Sequence, residues 1–208
     1  MEVMNYKYLE LTKRIQAIAH AGLTYADNGF DQERYQELSE ISLQLMQEFS
    51  NTDIAIIADL FKHKKDYPTP KVDIRAVIFQ DDQLLMVREK VDGCWALPGG
   101  WADVGYTPAE VVVKEVREEA GLDVSAVKVL AILDKKCHPH PPQPFYIYKI
   151  FILCDVLGGV ISAGVETSDV AFFSQKAIPP LSEDRNTMSQ IDMLFSLKEN
   201  SDAAVIFD

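Results

Sequence analysis

A chain of 208 residues, 48% of them hydrophobic, is long enough to bury a substantial core. Its formal net charge of −12 at pH 7 excludes an extended surface for nucleic acid or anionic membrane, but not a nucleotide pocket in which a metal supplies positive charge. The sequence has no apolar run near the roughly 18 residues of a membrane span and no signal-peptide layout. Its three cysteines show no CxxC pattern, which predicts thiols in a reducing cytosol and hence a cytoplasmic protein.

The first third of the chain has the pattern of helices. Apolar residues recur at helical spacing from Tyr6 to about Ala26, the pair Asn28-Gly29 interrupts the pattern, and Asp31 can cap a second helix. Two or three helices of this kind bury little apolar surface by themselves. We therefore expect them to pack against the rest of the chain or against another copy of themselves.

A linker separates this helical segment from the remainder of the chain. Thr52 or Asp53 can begin a third, short helix before the linker, and residues 63–70 have the charge and proline content typical of one. The sequence thus predicts a small all-helical domain over residues 1–66, followed by a second domain over residues 71–208.

The second domain mixes strands with helices. Strands are predicted at residues 72–79, 84–88, 95–97, 126–134, 145–156 and 170–173, and a last helix is predicted at residues 185–198. Turns are predicted at Asp81-Asp82 and Gly158-Gly159, and residues 138–144 form a proline-rich loop. This order of elements is typical of an α+β fold, in which helices cover a sheet.

One helix of this domain has clear end signals. It lies in the stretch LPGGWADVGYTPAEVVVKEVREEAGL, residues 97–122. Thr107 can cap its start, Glu110 completes a capping box, and Pro108 suits the first helical position. Gly121 suits a left-handed end. The spacing therefore predicts a helix between these residues.

Three carboxylates share one face of that helix. Glu115, Glu118 and Glu119 are three and four residues apart, so they lie together and repel one another. A hard cation such as Mg²⁺ or Mn²⁺ would turn this repulsion into binding. The alternative is a solvated acidic face. The adjacent glycines favour the metal, because glycine lets backbone approach a ligand closely, and the Gly99 carbonyl is then a further candidate ligand.

In this stretch the sequence resembles the Nudix hydrolase family. The positions that match its motif are Gly100, Glu115, Val116, Glu118, Glu119, Gly121 and Leu122. Two positions depart from the motif, because Tyr106 stands where a glutamate is expected and Lys114 stands where an arginine is expected. Lys114 keeps the positive charge of the arginine but not its bidentate fork. In the family, the residues at these two positions support and orient the metal-binding glutamates. The glutamates themselves are present.

The resemblance implies a fold, a cofactor and a reaction. The fold is the Nudix α/β/α sandwich with a mixed sheet, here preceded by the all-helical domain. Glu115, Glu118 and Glu119, with Gly99, are implied to hold Mg²⁺ or Mn²⁺, which activates water at a pyrophosphate bond. Glu166, which precedes a predicted strand, or one of the helix carboxylates is implied to act as the general base.

Further residues are candidates for contact with substrate. They are Arg75, Arg88, Trp101, His138, His140 and Tyr146. The arginines can donate paired hydrogen bonds to phosphate, and the histidines can donate from the proline-rich loop. The aromatic residues can stack on a base or on a quaternary ammonium. The alternatives are surface ion pairs for the arginines and core positions for the aromatic residues. A zinc site of Cys137 with the histidines is disfavoured, because a second ligand pair is missing.

The helical extension and the sequence GGWADVGYTP resemble those of a Nudix subgroup that hydrolyses a nucleoside diphosphate linked to another moiety. The products are a nucleoside monophosphate and a phosphorylated moiety, and known members are often dimers joined through the extension. CDP-choline, giving CMP and phosphocholine, is the first expectation for the substrate, and ADP-ribose is the alternative. From another class, a non-catalytic nucleotide-binding regulator fits Tyr106 and Lys114, but not the retention of all three glutamates. A homodimer through the first helices is the expected partner.

Overall fold

The computed structural model describes residues 2–50, 57, 67–200 and 202–208, with the backbone alone for residues 2–6. The chain forms two compact units. One comprises Met1–Pro70 with Pro142–Tyr146, and the other comprises Lys71–Pro141 with Ile147–Asp208. The predicted domain limits, 1–66 and 71–208, stay predictions. Of the predicted helix from Thr52 or Asp53, only Ile57 is among the described residues, and the charged part of the linker lies outside them.

The helical unit contains α1 (Glu2–Tyr25) and α2 (Gly29–Phe49), which pack against each other. Asn28, not Asp31, caps α2, so the predicted cap is wrong. The reason is local geometry, since Asn28 is extended and its side-chain oxygen accepts a hydrogen bond from the Asp31 N–H at 2.8 Å. Leu9 and Met46 are fully buried between the helices.

The second unit contains every strand of the described residues. The strands are β1 (Lys71–Val77), β2 (Phe79–Gln80), β3 (Gln83–Glu89), β4 (Trp95–Ala96), β5 (Gly99–Trp101), β6 (Leu122–Asp134), β7 (Ile147–Gly159), β8 (Thr167–Ser174) and β9 (Ile206–Phe207). A five-stranded mixed sheet has the order β5-β1-β7-β6-β9, and a second sheet has the order β2-β3-β4 with β8 paired to β3. Within the mixed sheet β1 and β7 are parallel, whereas β6 and β7 are antiparallel.

Most predicted turns and strands are present. Asp81 and Asp82 both have positive φ, 48° and 61°, as a two-residue hairpin turn requires. The predicted turn at Gly158-Gly159 is wrong, because both residues pair with β6 at the end of β7. Gly159 serves close packing instead, since a Cβ there would lie 2.5 Å from the Gly121 carbonyl oxygen. The short strands β5 and β9 were not predicted.

Two helices complete the second unit, α3 (Pro108–Ala120) and α4 (Met188–Glu199). Alternate residues of β1 and β7 point to two different cores. Ile74 and Ile152 join the core that contains α3, whereas Val77 and Phe151 join the core that contains α4. This arrangement confirms the predicted sandwich with a mixed sheet. The last helix begins at Met188 and not near Arg185, because a capping box forms at Thr187.

Short 3₁₀ turns at Lys135–Cys137 and Gln175–Ala177 follow β6 and β8. Phe145 and Tyr146, predicted as the start of a strand, precede β7 and belong to the helical unit. None of the three cysteines is in a disulfide. Among the residues that the structure describes, no helix has the length and apolarity needed to cross a membrane.

Candidate active site

The helix α3 has the predicted ends. The Thr107 hydroxyl accepts a hydrogen bond from the Glu110 N–H at 3.2 Å, and the Glu110 carboxylate accepts one from the Thr107 N–H at 2.8 Å. Gly121 ends the helix with φ of 72°, which costs a glycine little. Val112 and Val116 are fully buried, so the apolar stripe anchors α3 and fixes the direction of its acidic face.

The three glutamates of α3 differ in exposure. Glu119 is buried, and its Oε2 accepts a hydrogen bond from the Gly99 N–H at 2.8 Å. Glu115 is half-buried against Gly100, where a Cβ would lie 3.0 Å from the carboxylate carbon. The side chain of Glu118 is 59% exposed. The glycines therefore let β5 run directly beside the carboxylates. Gly99 contacts Glu119 through its N–H. The role of the Gly99 carbonyl as a metal ligand stays a prediction.

Burial and mutual repulsion raise the pKa of two of these carboxylates, Glu115 and Glu119. Burial raises the pKa of Glu119 to about 8, with Glu89 and Glu115 adding to the effect and Arg75 and the Gly99 N–H opposing it. Burial also raises the pKa of Glu115, and Glu118 adds to that rise. A cation bound between these groups would reverse both effects.

The sequence did not predict the place of Glu89 in this group. Glu89 is 3% exposed, and Arg185 Nε lies 2.8 Å from its Oε1 without making a hydrogen bond to that oxygen. Burial raises the pKa of Glu89, and Asp92 and Glu166 add to the rise. The available signal was strand parity, because Glu89 alternates with exposed Arg88 and so points inward.

Glu166 is exposed in the loop between β7 and β8, and contacts with α3 fix the position of that loop. The Thr167 hydroxyl donates to the Glu119 carbonyl at 2.8 Å and accepts from the Gly164 N–H at 2.7 Å. The Lys90 N–H donates to the Glu166 carbonyl at 3.0 Å. The negative charge of Glu166 also raises the pKa of Glu115, by less than burial and Glu118 do. The structure thus brings Glu166 to the helix carboxylates.

The two departures from the motif are neighbours. Lys114 Nζ lies 5.7 Å from the centre of the Tyr106 ring, a distance at which cation–π attraction operates. The same ammonium lies 3.9 Å from Glu115 Oε1 and 3.8 Å from Glu118 Oε2. The charge of Glu118 is the main cause of the raised pKa of Lys114. Lys114 therefore gives two of the carboxylates a nearby positive charge.

The predicted arginines are both engaged within the protein. Arg75 is 6% exposed, pairs with Asp73, and donates from Nη1 to the Leu97 carbonyl at 3.0 Å. Its charge acts on Glu119. Arg88 is exposed, and its Nε donates to the Gly93 carbonyl at 2.8 Å. The structure therefore brings the Arg75 charge close enough to act on Glu119, whereas Arg88 supports the loop after β3.

The other predicted substrate residues are dispersed. Trp101 follows the glycines and is 47% exposed, with the Lys71 ammonium 5.1 Å from its ring centre. Tyr146 belongs to the helical unit, where the Lys13 ammonium lies 4.1 Å from its ring centre and its hydroxyl donates to the Glu10 carbonyl at 3.3 Å. A cation of the protein itself thus lies over this aromatic ring.

The two histidines have separate environments. His138 Nε2 lies 3.1 Å from Asp208 Oδ2. His140 is buried, with Nδ1 2.6 Å from the Glu183 carbonyl oxygen and Nε2 3.0 Å from Gln190 Nε2. Burial lowers the pKa of His140 to about 4, so it is neutral at pH 7. Neither histidine lies in a cluster with Cys137 that could hold zinc.

The donor set fits a divalent metal in chemistry but is not a preformed cage. Within the described ranges, no three His, Cys, Asp or Glu side chains are grouped as a ready-made metal site. However, Glu115, Glu118 and Glu119 offer hard oxygen ligands, and repulsion among them raises the pKa of Glu115 beyond the effect of burial. Glu89 is a further buried carboxylate, and its Oε1 lies 2.8 Å from Arg185 Nε. The residues present therefore fit Mg²⁺ or Mn²⁺.

Both parts of the chain match known protein-family models. Residues 69–194 match the model of the NUDIX domain, and residues 6–61 match the model described as a UDP-X-like, N-terminal oligomerisation domain. The chain is 48% identical to the putative ADP-ribose pyrophosphatase YjhB of Bacillus subtilis over 202 residues, which cover 97% of each chain. It is 33% identical to an ADP-ribose pyrophosphatase of Methanocaldococcus jannaschii, over 61% of this chain and 74% of that protein.

Solved structures are similar over the same regions. A structure described as a UDP-X diphosphatase matches 97% of this chain and 98% of its own, with 31% identity and a TM-score of 0.64. An ADP-ribose pyrophosphatase of Streptococcus suis matches 67% of this chain and 100% of its own, with 45% identity and a TM-score of 0.61. The chain therefore belongs to the Nudix hydrolase family and is a Nudix pyrophosphohydrolase, which confirms the predicted resemblance.

Proposed function

We propose that this protein hydrolyses the pyrophosphate bond of a nucleoside diphosphate linked to a second moiety, and that it requires Mg²⁺ or Mn²⁺. The products are a nucleoside monophosphate and a phosphorylated second moiety. The observation that carries the proposal is the group of carboxylates beside Gly99 and Gly100, in which burial and mutual repulsion raise the pKa values of Glu115 and Glu119. Such a group gains free energy when it binds a cation.

Glu115, Glu118 and Glu119, with Gly99, are the residues proposed to hold the metal. Bound there, the metal neutralises the diphosphate and lowers the pKa of coordinated water. The chain's own contribution is to hold the carboxylates in place. The Gly99 N–H orients Glu119, the apolar stripe of α3 fixes the helix, and Lys114 lies between Glu115 and Glu118.

Glu166 is the proposed general base, with Glu118 and Glu115 as alternatives on the same face. Its loop is held against α3 through Thr167, which favours a constant distance to the helix carboxylates. It is also exposed, so water can reach it. A base must lie within hydrogen-bond reach of the proton that it removes.

ADP-ribose is the first substrate to test, since relatives at 48% and 33% identity bear the name ADP-ribose pyrophosphatase. A UDP-linked moiety is the second, because the UDP-X diphosphatase resembles nearly the whole chain. CDP-choline, favoured by the sequence resemblance alone, stays a prediction. The Tyr146 ring lies against Lys13, so it is a poor candidate for contact with a quaternary ammonium.

The deciding experiment incubates the full chain with each of these substrates and with nucleoside triphosphates, in Mg²⁺, Mn²⁺ or EDTA. Chromatography then identifies the nucleotide products. We expect AMP and ribose 5-phosphate from ADP-ribose in the presence of metal, and no product in EDTA. A metal-dependent rise in melting temperature without product from any substrate would contradict hydrolysis and favour a nucleotide-binding regulator.

A homodimer through α1 and α2 is proposed as the working assembly. The family model that covers these helices is described as an oligomerisation domain, and they expose large apolar side chains: Tyr8, Leu11, Ile18, Tyr25, Phe30 and Ile41. Apolar side chains of this kind favour an interface where they form a contiguous patch. Light scattering after size exclusion should give twice the chain mass, and a monomer would reject the dimer without affecting the proposed chemistry. The cytoplasmic location stays a prediction.

A further inference from the structure

Three charged side chains are buried together on one face of the mixed sheet. Asp73, Arg75 and Val77 are two residues apart along β1, so their side chains lie on the same face of the sheet. Asp73 pairs in register with Lys149 of the parallel strand β7. The side chains of the three charged residues are between 1% and 7% exposed. Charges this deeply buried are held by their partners, and loss of one partner is poorly tolerated.

The Asp73 carboxylate joins the two basic side chains. Arg75 Nε donates to Asp73 Oδ1 at 3.0 Å, Arg75 Nη2 lies 2.8 Å from the same oxygen, and Lys149 Nζ donates to Oδ2. Burial by itself would raise the pKa of Asp73, but the two cations lower it. The carboxylate therefore stays ionised and holds the Arg75 guanidinium from one side.

The other side of Arg75 contacts the segment that orients Glu119. Arg75 Nη1 donates to the Leu97 carbonyl at 3.0 Å, and the main chain of Arg75 pairs in register with Gly99. The Gly99 N–H in turn donates to Glu119 Oε2 at 2.8 Å. The Leu97 N–H has its own anchor, the Asn186 side chain, at 2.9 Å. Arg75 thus holds the segment 97–99 through both its side chain and its main chain.

We infer that Asp73 and Lys149 are positioning residues for metal binding, because they fix the Arg75 guanidinium that holds segment 97–99 against Glu119. The inference rests on the proposed function, since it gives these residues a part in binding the metal. It also replaces the predicted phosphate contact of Arg75 with a structural one, because the guanidinium is buried and already bonded on two sides.

The inference is tested without turnover by measuring the affinity of the full chain for Mn²⁺. Electron paramagnetic resonance detects the unbound ion and so gives the fraction bound. Arg75→Lys keeps the positive charge but cannot donate to Asp73 and to the Leu97 carbonyl in the same geometry. Asp73→Asn keeps the shape and loses the charge. We expect each variant to bind Mn²⁺ roughly 10-fold more weakly, with an unchanged circular dichroism spectrum.

A double variant and a control sharpen the test. Asp73→Asn combined with Lys149→Met should weaken Mn²⁺ binding little more than Asp73→Asn alone, because residues that act as one unit are not additive. Arg117→Lys is the matched control, since Arg117 is an exposed arginine of α3 paired with Asp123. It should bind Mn²⁺ with the affinity of the unaltered protein.

The outcomes separate this inference from the proposed function. Unaltered Mn²⁺ affinity in folded Arg75→Lys protein would overturn the inference and leave the metal site standing. Absence of Mn²⁺ binding in the unaltered protein would overturn both. Should Asp73→Asn fail to fold, Arg75→Lys decides the question, because it retains the charge that balances Asp73.

Discussion

The second unit contains two groups of buried titratable side chains, one of them acidic and the other basic. The acidic group has pKa values raised by burial, with neighbouring carboxylates adding to the effect, and consists of Glu89, Glu115 and Glu119. The basic group has pKa values lowered by burial, with neighbouring cations adding to the effect, and consists of Lys135, His140 and Lys149. The two groups meet at Arg75, whose charge acts on both.

The groups differ in how their charges are matched. Lys149 donates to Asp73, and Lys135 Nζ lies 3.7 Å from Asp184 Oδ1. The acidic group and the exposed Glu118 and Glu166 together make five carboxylates, against three nearby cations, Arg75, Lys114 and Arg185. Balanced charges keep the first group stable without a ligand, whereas repelling carboxylates in the second support the proposal that a cation binds there.

The largest effect should come from removing a matched charge. Asp73→Asn leaves Arg75 and Lys149 without their common carboxylate, and breaking a buried ion pair costs roughly 3 kcal/mol or more. Urea unfolding of the metal-free protein measures this loss. Asp123→Asn, at the exposed pair with Arg117, is the control and should change the unfolding midpoint little. Equal effects of the two substitutions would contradict the difference between matched and exposed charge.

Removing a proposed metal ligand should reduce activity strongly and spare stability. We expect Glu118→Gln to reduce kcat/KM on the order of 100-fold or more, because a proposed metal ligand is lost. The free energy of unfolding in EDTA should be unchanged or slightly higher, since repulsion with Glu115 falls. Glu199→Gln, at the exposed end of α4, is the control for both measurements. Retained turnover in Glu118→Gln would reject the metal-binding role of this residue.

Displacing the loop of Glu166 should have a moderate effect. A Cβ at position 164 would lie 1.8 Å from the Glu118 carbonyl oxygen, so Gly164→Ala must move the loop away from α3. We expect kcat to fall roughly 10-fold, because misplaced catalytic groups lose rate steeply. Gly158→Ala, where a Cβ would meet nothing within 4 Å, is the control. Equal kcat in the two variants would argue against Glu166 as the base.

Acidification should weaken the basic group, with a smaller effect. Burial lowers the pKa of His140 from 6.5 to about 4, so the unfolded chain binds a proton more readily than the folded one. The contribution of neutral His140 to the free energy of unfolding is therefore complete above pH 6.5 and is lost as the pH falls toward 4. Between pH 7 and pH 5 the unfolding free energy should fall on the order of 1 kcal/mol more in the unaltered protein than in His140→Gln. An equal fall of the unfolding free energy in the unaltered protein and in His140→Gln would contradict this prediction.

Local sequence signals predicted the helix that carries the site. The ends of α3, the shared face of its glutamates and most strands follow from spacing and capping within a few residues of the chain. Where two local signals competed, prediction failed. Asn28 and Asp31 are both good caps, and Gly158-Gly159 suits a turn or a close approach equally well. Only packing against β6 decided the second case.

The sequence by itself determined the family, the layered fold and the carboxylate face of α3, because these depend on periodicity and on residues close together in the chain. The tertiary structure decided which charges are balanced. It brought Arg185 to Glu89, Lys149 to Asp73 and Tyr146 to Lys13, pairs that are distant in sequence. Electrostatic energy depends on distance in space and on burial, and neither can be read from spacing along the chain.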